Sequence, residues 1–141
     1  MKIVPAEYFL TFHWVRKLYP DKATFGDANF NLPKSSWVFN SLYPFFRGEM
    51  KRWGVLEWSD KFDCEDFSQT FRVLAKACHY KSSGSAQGIA IGEIDYERSD
   101  GEYHCINTLF TEKGLIWFEP QTGKSLILSD EEITSIRRFR I

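Results

Sequence analysis

The sharpest apolar pattern in this chain begins at Cys64. Cys64, Phe67, Phe71, Leu74, Ala75 and Cys78 recur at the three- and four-residue intervals of an amphipathic helix. Asp63 is placed to cap that helix, with Asp66 three residues on as a variant of the capping box. Cys64 then takes the first helical position, facing the core side. The stretch "KSSGS" is turn chemistry and ends the helix near Tyr80.

Downstream the period shortens to that of strands. Segments 88–97, 102–110 and 115–120 are short apolar runs, separated by "RSDG" and "TEKG" and followed by "QTG" and "KSLIL". Gly-containing turns between such runs predict an antiparallel meander. "SDEE" predicts a short helical turn and "SIRRFRI" a last strand.

The front half is less regular. "PAEYFLTFHWVRKLYP" fits a helix opened by Pro5, although its uniformly apolar spacing also fits a strand. Residues 20–35 are rich in Pro, Gly, Asn and Asp and predict a loop. A second helix is expected from about Ser36 to Trp53, kinked or divided at Pro44. Helices first and strands after give an α+β class, in one domain spanning 1–141.

Composition narrows the function. A chain of 141 residues buries about two-thirds of its unfolded surface, enough for a core without staples. The formal net charge of -1 gives no global basis for binding nucleic acid or an anionic membrane. Three cysteines at unrelated spacings do not form a disulfide framework and point to a reducing, cytoplasmic setting. The N-terminus lacks a signal-peptide pattern, and no apolar run suffices to span a membrane. Arg137, Arg138 and Arg140 are expected to blunt an exposed strand edge. More than half of the aromatic residues fall before position 59, as either a core or a docking surface for a protein partner.

Cys64 sits among Asp63, Glu65 and Asp66. Helix N-terminal N–H groups favour these acids and also favour a thiolate, while the acids oppose it. A reactive Cys64 therefore needs an imidazolium partner. His79 lies 15 residues down the same helix, about 22 Å away, and is out of reach. His13 lies in an aromatic run. His104 lies in a strand whose successor ends at Glu119. If "TEKG" is a four-residue loop, Phe110 pairs with Leu115, and Glu119 becomes the same-face diagonal neighbour of His104. That spacing suits a carboxylate that orients an imidazole.

Two other chemistries are not expected. His104 and Cys105 point to opposite faces of one strand and there is no CxxC pair, so no metal site is expected. "GIAIGE" lacks the lysine and the following helix of a phosphate loop, and no cofactor is expected. Its glycines fit a strand packed closely against the Cys64 helix.

"DCEDFS", "YHCIN" and "IWFEPQTG" together resemble the transglutaminase-like cysteine peptidase superfamily, over about 64–121. The resemblance implies a papain-like core, with N-terminal helices, the Cys64 helix among them, packed on an antiparallel sheet. It implies Cys64 as nucleophile, His104 as base and Glu119 as orienting acid, with Glu where the family usually has Asp. The backbone N–H of Cys64 is one oxyanion donor, and Trp53, Trp58 or Asn40 could supply another. The implied function is thiol-dependent acyl transfer on a protein or peptide substrate, as peptidase, amidase, deamidase or transglutaminase. The alternative is a protein-binding or structural module that keeps the fold without turnover.

Overall fold

The computed structural model describes residues Met1–Ile141. The elements run β1 Ile3–Pro5, a 3-10 turn Ala6–Thr11, α1 His13–Leu18, β2 Ala23–Thr24, β3 Asn29–Asn31, α2 Ser35–Trp37, a π-helical stretch Val38–Leu42 and α3 Tyr43–Trp53. After these come α4 Cys64–Ser83, β4 Gly88–Ile89, β5 Ile91–Glu97, β6 Tyr103–Thr111, β7 Gly114–Glu119, β8 Lys124–Leu126, α5 Asp130–Thr134 and β9 Arg138–Arg140. A six-stranded sheet has the order β2-β9-β5-β6-β7-β8, and a three-stranded sheet the order β1-β3-β4.

The front half departs from the sequence expectations in instructive ways. Pro5 closes a strand instead of opening a helix, and the apolar run after it breaks into a 3-10 turn and a six-residue helix. Phe9, Val15 and Phe30 sink into one core with Ile106, Phe110 and Phe139, so tertiary burial overrides the local pattern. Residues 20–35 hold two short strands, β2 and β3, which find partners distant in sequence. The division at Pro44 takes a specific form. Pro44 has no N–H to give the helical ladder, and the turn before it widens to π geometry.

The papain-like α+β class is corrected by this architecture. Nine strands form two sheets, and the N-terminal region supplies β1, β2 and β3 as well as helices, where N-terminal helices packed on one antiparallel sheet are expected from the sequence. The sheets are mixed, because β2 runs parallel to β9 and β3 parallel to β4. The segment 88–97 is not one strand. Its first part joins β3 in the small sheet and its second part joins β6 and β9 in the large one, with Ala90 between them.

Gly92 has a role different from the one its sequence suggested. A Cβ there would overlap the Arg140 carbonyl, the Phe139 ring and the Thr108 hydroxyl. It permits close approach of neighbouring strands, not of the Cys64 helix. The arginines of β9 also differ from expectation, because β9 is interior to the sheet and they are ion-paired instead of blunting an edge.

α4 lies on the large sheet with Phe67, Phe71 and Ala75 packed on Ile91, Leu109 and Phe118. Asp63 and Asp66 form a complete capping box at its start, and Gly84, at φ 62, closes its end in the left-handed conformation. No helix is long and apolar enough to cross a membrane.

Candidate functional site

The site forms where two strands part beside the start of α4. The β6–β7 register pairs Phe110 with Leu115, and the ladder reaches its last pair at Asn107 and Phe118. His104 lies before that pair on β6 and Glu119 after it on β7, so both stand at the open end of the hairpin. The loop itself is tighter than four residues, since Thr111 pairs with Gly114 across Glu112 and Lys113.

Buried polar contacts set α4 against this end. Ser68, one turn after Cys64, donates its hydroxyl to the Cys105 carbonyl at 3.0 Å. The Asn107 amide donates to the carbonyls of Ser68 and Gly92, each at 3.0 Å. Ser68 and Asn107 are fully buried, and such bonds are costly to leave unmade. They fix the start of α4 against the strand that carries His104. The sequence offered no signal for this pair, because nothing in a helical or alternating pattern distinguishes a buried polar residue from an exposed one.

Of the residues singled out from sequence, the structure brings three together. Cys64, His104 and Glu119 line one cleft of about 630 Å³. His104 Nε2 and Glu119 Oε2 are 2.5 Å apart. The other carboxylate oxygen of Glu119 accepts from the Gln121 backbone N–H at 3.1 Å. Nδ1 of His104 makes no hydrogen bond within the chain. Burial disfavours the imidazolium, but interactions with Cys64 and Glu119 outweigh it and hold the His104 pKa at about 9.

The acids around Cys64 have separate partners. Asp63 and Asp66 serve the capping box. Glu65 is held by Arg138 at 3.1 Å and lies 3.6 Å from Arg140, both from β9. Two of the three carboxylates therefore answer helix N–H groups, and the third is drawn toward arginines.

Trp58 also lines the cleft, whereas Trp53 and Asn40 do not. His13 is exposed beside Arg16, and His79 is buried at the far end of α4, where its Nε2 accepts from the Asn31 amide at 3.0 Å. Cys78 is partly exposed and Cys105 is buried, with its thiol pKa pushed far up by burial. No group of three or more His, Cys, Asp or Glu side chains is arranged to hold a metal ion.

The remaining walls are Asp63, Arg98, Glu102, Tyr103, Gln121 and Thr122. Arg98, Glu102, Tyr103 and Thr122 were not among the sequence candidates. Their signal was positional: the "RSDG" turn and the segment after Glu119 flank the two strands that carry His104 and Glu119. Trp58 and Tyr103 keep 55% and 51% of their surface exposed at the cleft.

No family model and no curated protein matches this chain. Two solved structures are similar in fold. One, a PSL1a-E64 complex, superposes with a TM-score of 0.74 at 16% identity and covers 99% of this chain and 51% of the other. The second is Polyporus squamosus lectin bound to the human-type influenza-binding epitope Neu5Aca2-6Galb1-4GlcNAc, with a TM-score of 0.71 at 17% identity, covering 99% and 49%. The chain spans about half the length of each. At such identities the likeness concerns the fold alone.

These neighbours correct the assignment to the transglutaminase-like and papain-like cysteine peptidases. Neither carries such a peptidase's name, and one is named a lectin. The thiol-dependent acyl-transfer function and the hydrolase or thiol protease class were implied by that assignment and are withdrawn with it. The three motifs are short, and their residues meet in space without a family model behind them.

Proposed function

We propose that this domain is a ligand-binding module whose cleft over Cys64, His104 and Glu119 takes a small polar ligand of the oligosaccharide type. The observation that carries this is the composition of the walls. The exposed Trp58 ring and the Tyr103 ring, one face of which is covered by the Arg137 guanidinium at 3.6 Å, stand beside Asp63, Arg98, Glu102, Gln121 and Thr122 around about 630 Å³. A sugar ring offers an apolar C–H face to an aromatic ring and hydroxyls to carboxylates and amides, and this predominantly polar cleft with aromatic rings at its wall supplies both. The similar lectin is itself bound to a sialylated epitope. The carboxylates of Asp63, Glu102 and Glu119 share the cleft with Arg98 and the His104 ring, so both the neutral Galb1-4GlcNAc portion and the sialylated epitope are fit probes of it.

Calorimetric titration of this chain with Galb1-4GlcNAc and with the sialylated trisaccharide tests the reading. Binding of the neutral disaccharide that falls at least tenfold in Trp58→Ala supports it. No heat from either sugar at millimolar concentration overturns it.

A second reading concerns three residues of the cleft and is favoured by one observation, the His104–Glu119 pair standing in the same cleft as Cys64. In it Cys64 is a reactive thiol beside the His104 ring, and Glu119 is the group that orients that ring. The similar PSL1a structure is a complex with E64. Peptide mapping after brief iodoacetamide treatment tests this reading. It requires Cys64 to label well ahead of Cys78 and Cys105, and equal labelling of Cys64 and Cys78 contradicts it.

A further inference from the structure

Glu119 meets His104 from the end of a strand, where a side chain has much freedom unless the following turn is fixed. The turn is fixed from two sides. Within it, the Thr122 and Gly123 N–H groups both donate to the Glu119 carbonyl, at 3.3 and 2.8 Å, and Gln121 N–H donates to the Glu119 carboxylate. Beyond it, the turn returns into β8 through the Glu119–Lys124 pair. Gly123 adopts φ 74, a left-handed conformation suited to glycine.

The outer support comes from α3. The Tyr43 ring lies so close over Gly123 that a Cβ at 123 would overlap its Cε1 and Cζ atoms. The ring is itself held edge-on against Phe118, the residue before Glu119, with centroids 5.5 Å apart. One turn along α3, the Arg47 guanidinium donates to the Gln121 carbonyl at 3.4 Å. Neither Tyr43 nor Arg47 lines the cleft, so neither is placed to touch a ligand there.

We propose that Tyr43 and Arg47 are positioning residues that clamp the Glu119–Gly123 turn and so hold the Glu119 carboxylate against His104. The clamp rests on the reading that Cys64, His104 and Glu119 form the functional centre. It acts through shape: the Tyr43 ring fills the space that only a glycine at 123 leaves open, and the Arg47 bond fixes the carbonyl two residues after Glu119. The aromatic ring matters and its hydroxyl does not.

The test follows the His104 ring by NMR titration, which needs no ligand, in the intact chain. Glu119→Gln is the reference and must lower the His104 pKa; if it does not, the site reading fails and the clamp with it. Given that shift, Gly123→Ala and Tyr43→Ala should each lower the His104 pKa by roughly one unit, about a tenfold change in proton affinity. Tyr43→Phe should leave it at the parent value. Arg47→Ala, which disturbs no packing in the core, should lower it by a smaller amount and serves if Gly123→Ala fails to fold. Variants that lose stability while His104 titrates as in the parent would show a structural contact only and overturn the proposal.

Discussion

Glu119 Oε2 stands 2.5 Å from His104 Nε2, and both side chains are almost shut off from solvent. The pair has a consequence for stability. Against the opposing effect of burial, Cys64 and Glu119 together raise the His104 pKa from its ordinary 6.5 to about 9, so the folded state binds this proton more tightly than the unfolded chain. The stabilisation is complete below about pH 6.5 and is lost as pH rises toward 9. Its upper bound lies between about 3 and 4 kcal/mol, from about 1.4 kcal/mol per unit. Thermal melts of the parent should therefore fall between pH 6.5 and 9, and Glu119→Gln should flatten that limb. A parent melting temperature that does not change across this range would contradict the ion-pair account.

His79 has the opposite sign. Burial lowers its pKa, and its neutral Nε2 accepts from the Asn31 amide. This stability is present above the unfolded pKa of about 6.5 and is lost as pH falls through the lower folded value. Melts on the acid side should drop for the parent and drop less for His79→Gln, whose carbonyl can accept from Asn31 without titrating. An unchanged acid limb in His79→Gln would remove His79 as its cause.

The arginines of β9 are predicted to matter unequally from those on the surface. Glu93 is 1% exposed and is met by Arg140 and Arg72. Arg140→Ala strips a buried carboxylate of one partner and should cost about 3 kcal/mol. Arg52→Ala breaks an exposed pair with Glu49 and should cost less than about 1 kcal/mol. Urea titrations of the two variants decide this, and equal losses would contradict the burial argument.

Gly92→Ala should destabilise by about 2 kcal/mol or more, because its methyl meets the Arg140 backbone and the Phe139 ring between paired strands. Gly48→Ala, with nothing near its Cβ and a helical backbone, should be neutral or stabilising by less than about 1 kcal/mol. Comparing their denaturant midpoints checks the contrast.

What could be read from sequence follows from where the information is local. The α4 start at Cys64 was legible, since a cap, a box and a stripe lie within a few residues. So was the Phe110–Leu115 register, because turn length and strand period set it together. The strands β2 and β3 were not legible, as their few residues gain strand character only from partners such as Phe139 and Pro5. The arginines of β9 looked like edge charges because their partners, Glu65, Glu93 and Asp95, lie more than forty positions away. The approach of Cys64, His104 and Glu119 was readable from spacing, but the activity assigned through the motif resemblance was not, since residues that meet do not name a ligand.

The central claim is that the cleft over Cys64, His104 and Glu119 is where this chain meets its ligand. The most direct measurement is an NMR titration with Galb1-4GlcNAc that follows the side-chain signals of Trp58, Tyr103 and His104 against those of His13 and His79. The account predicts saturable shifts at the first three and none at the two distant histidines. Shifts confined to residues outside the cleft, or no shifts at millimolar sugar, would contradict it.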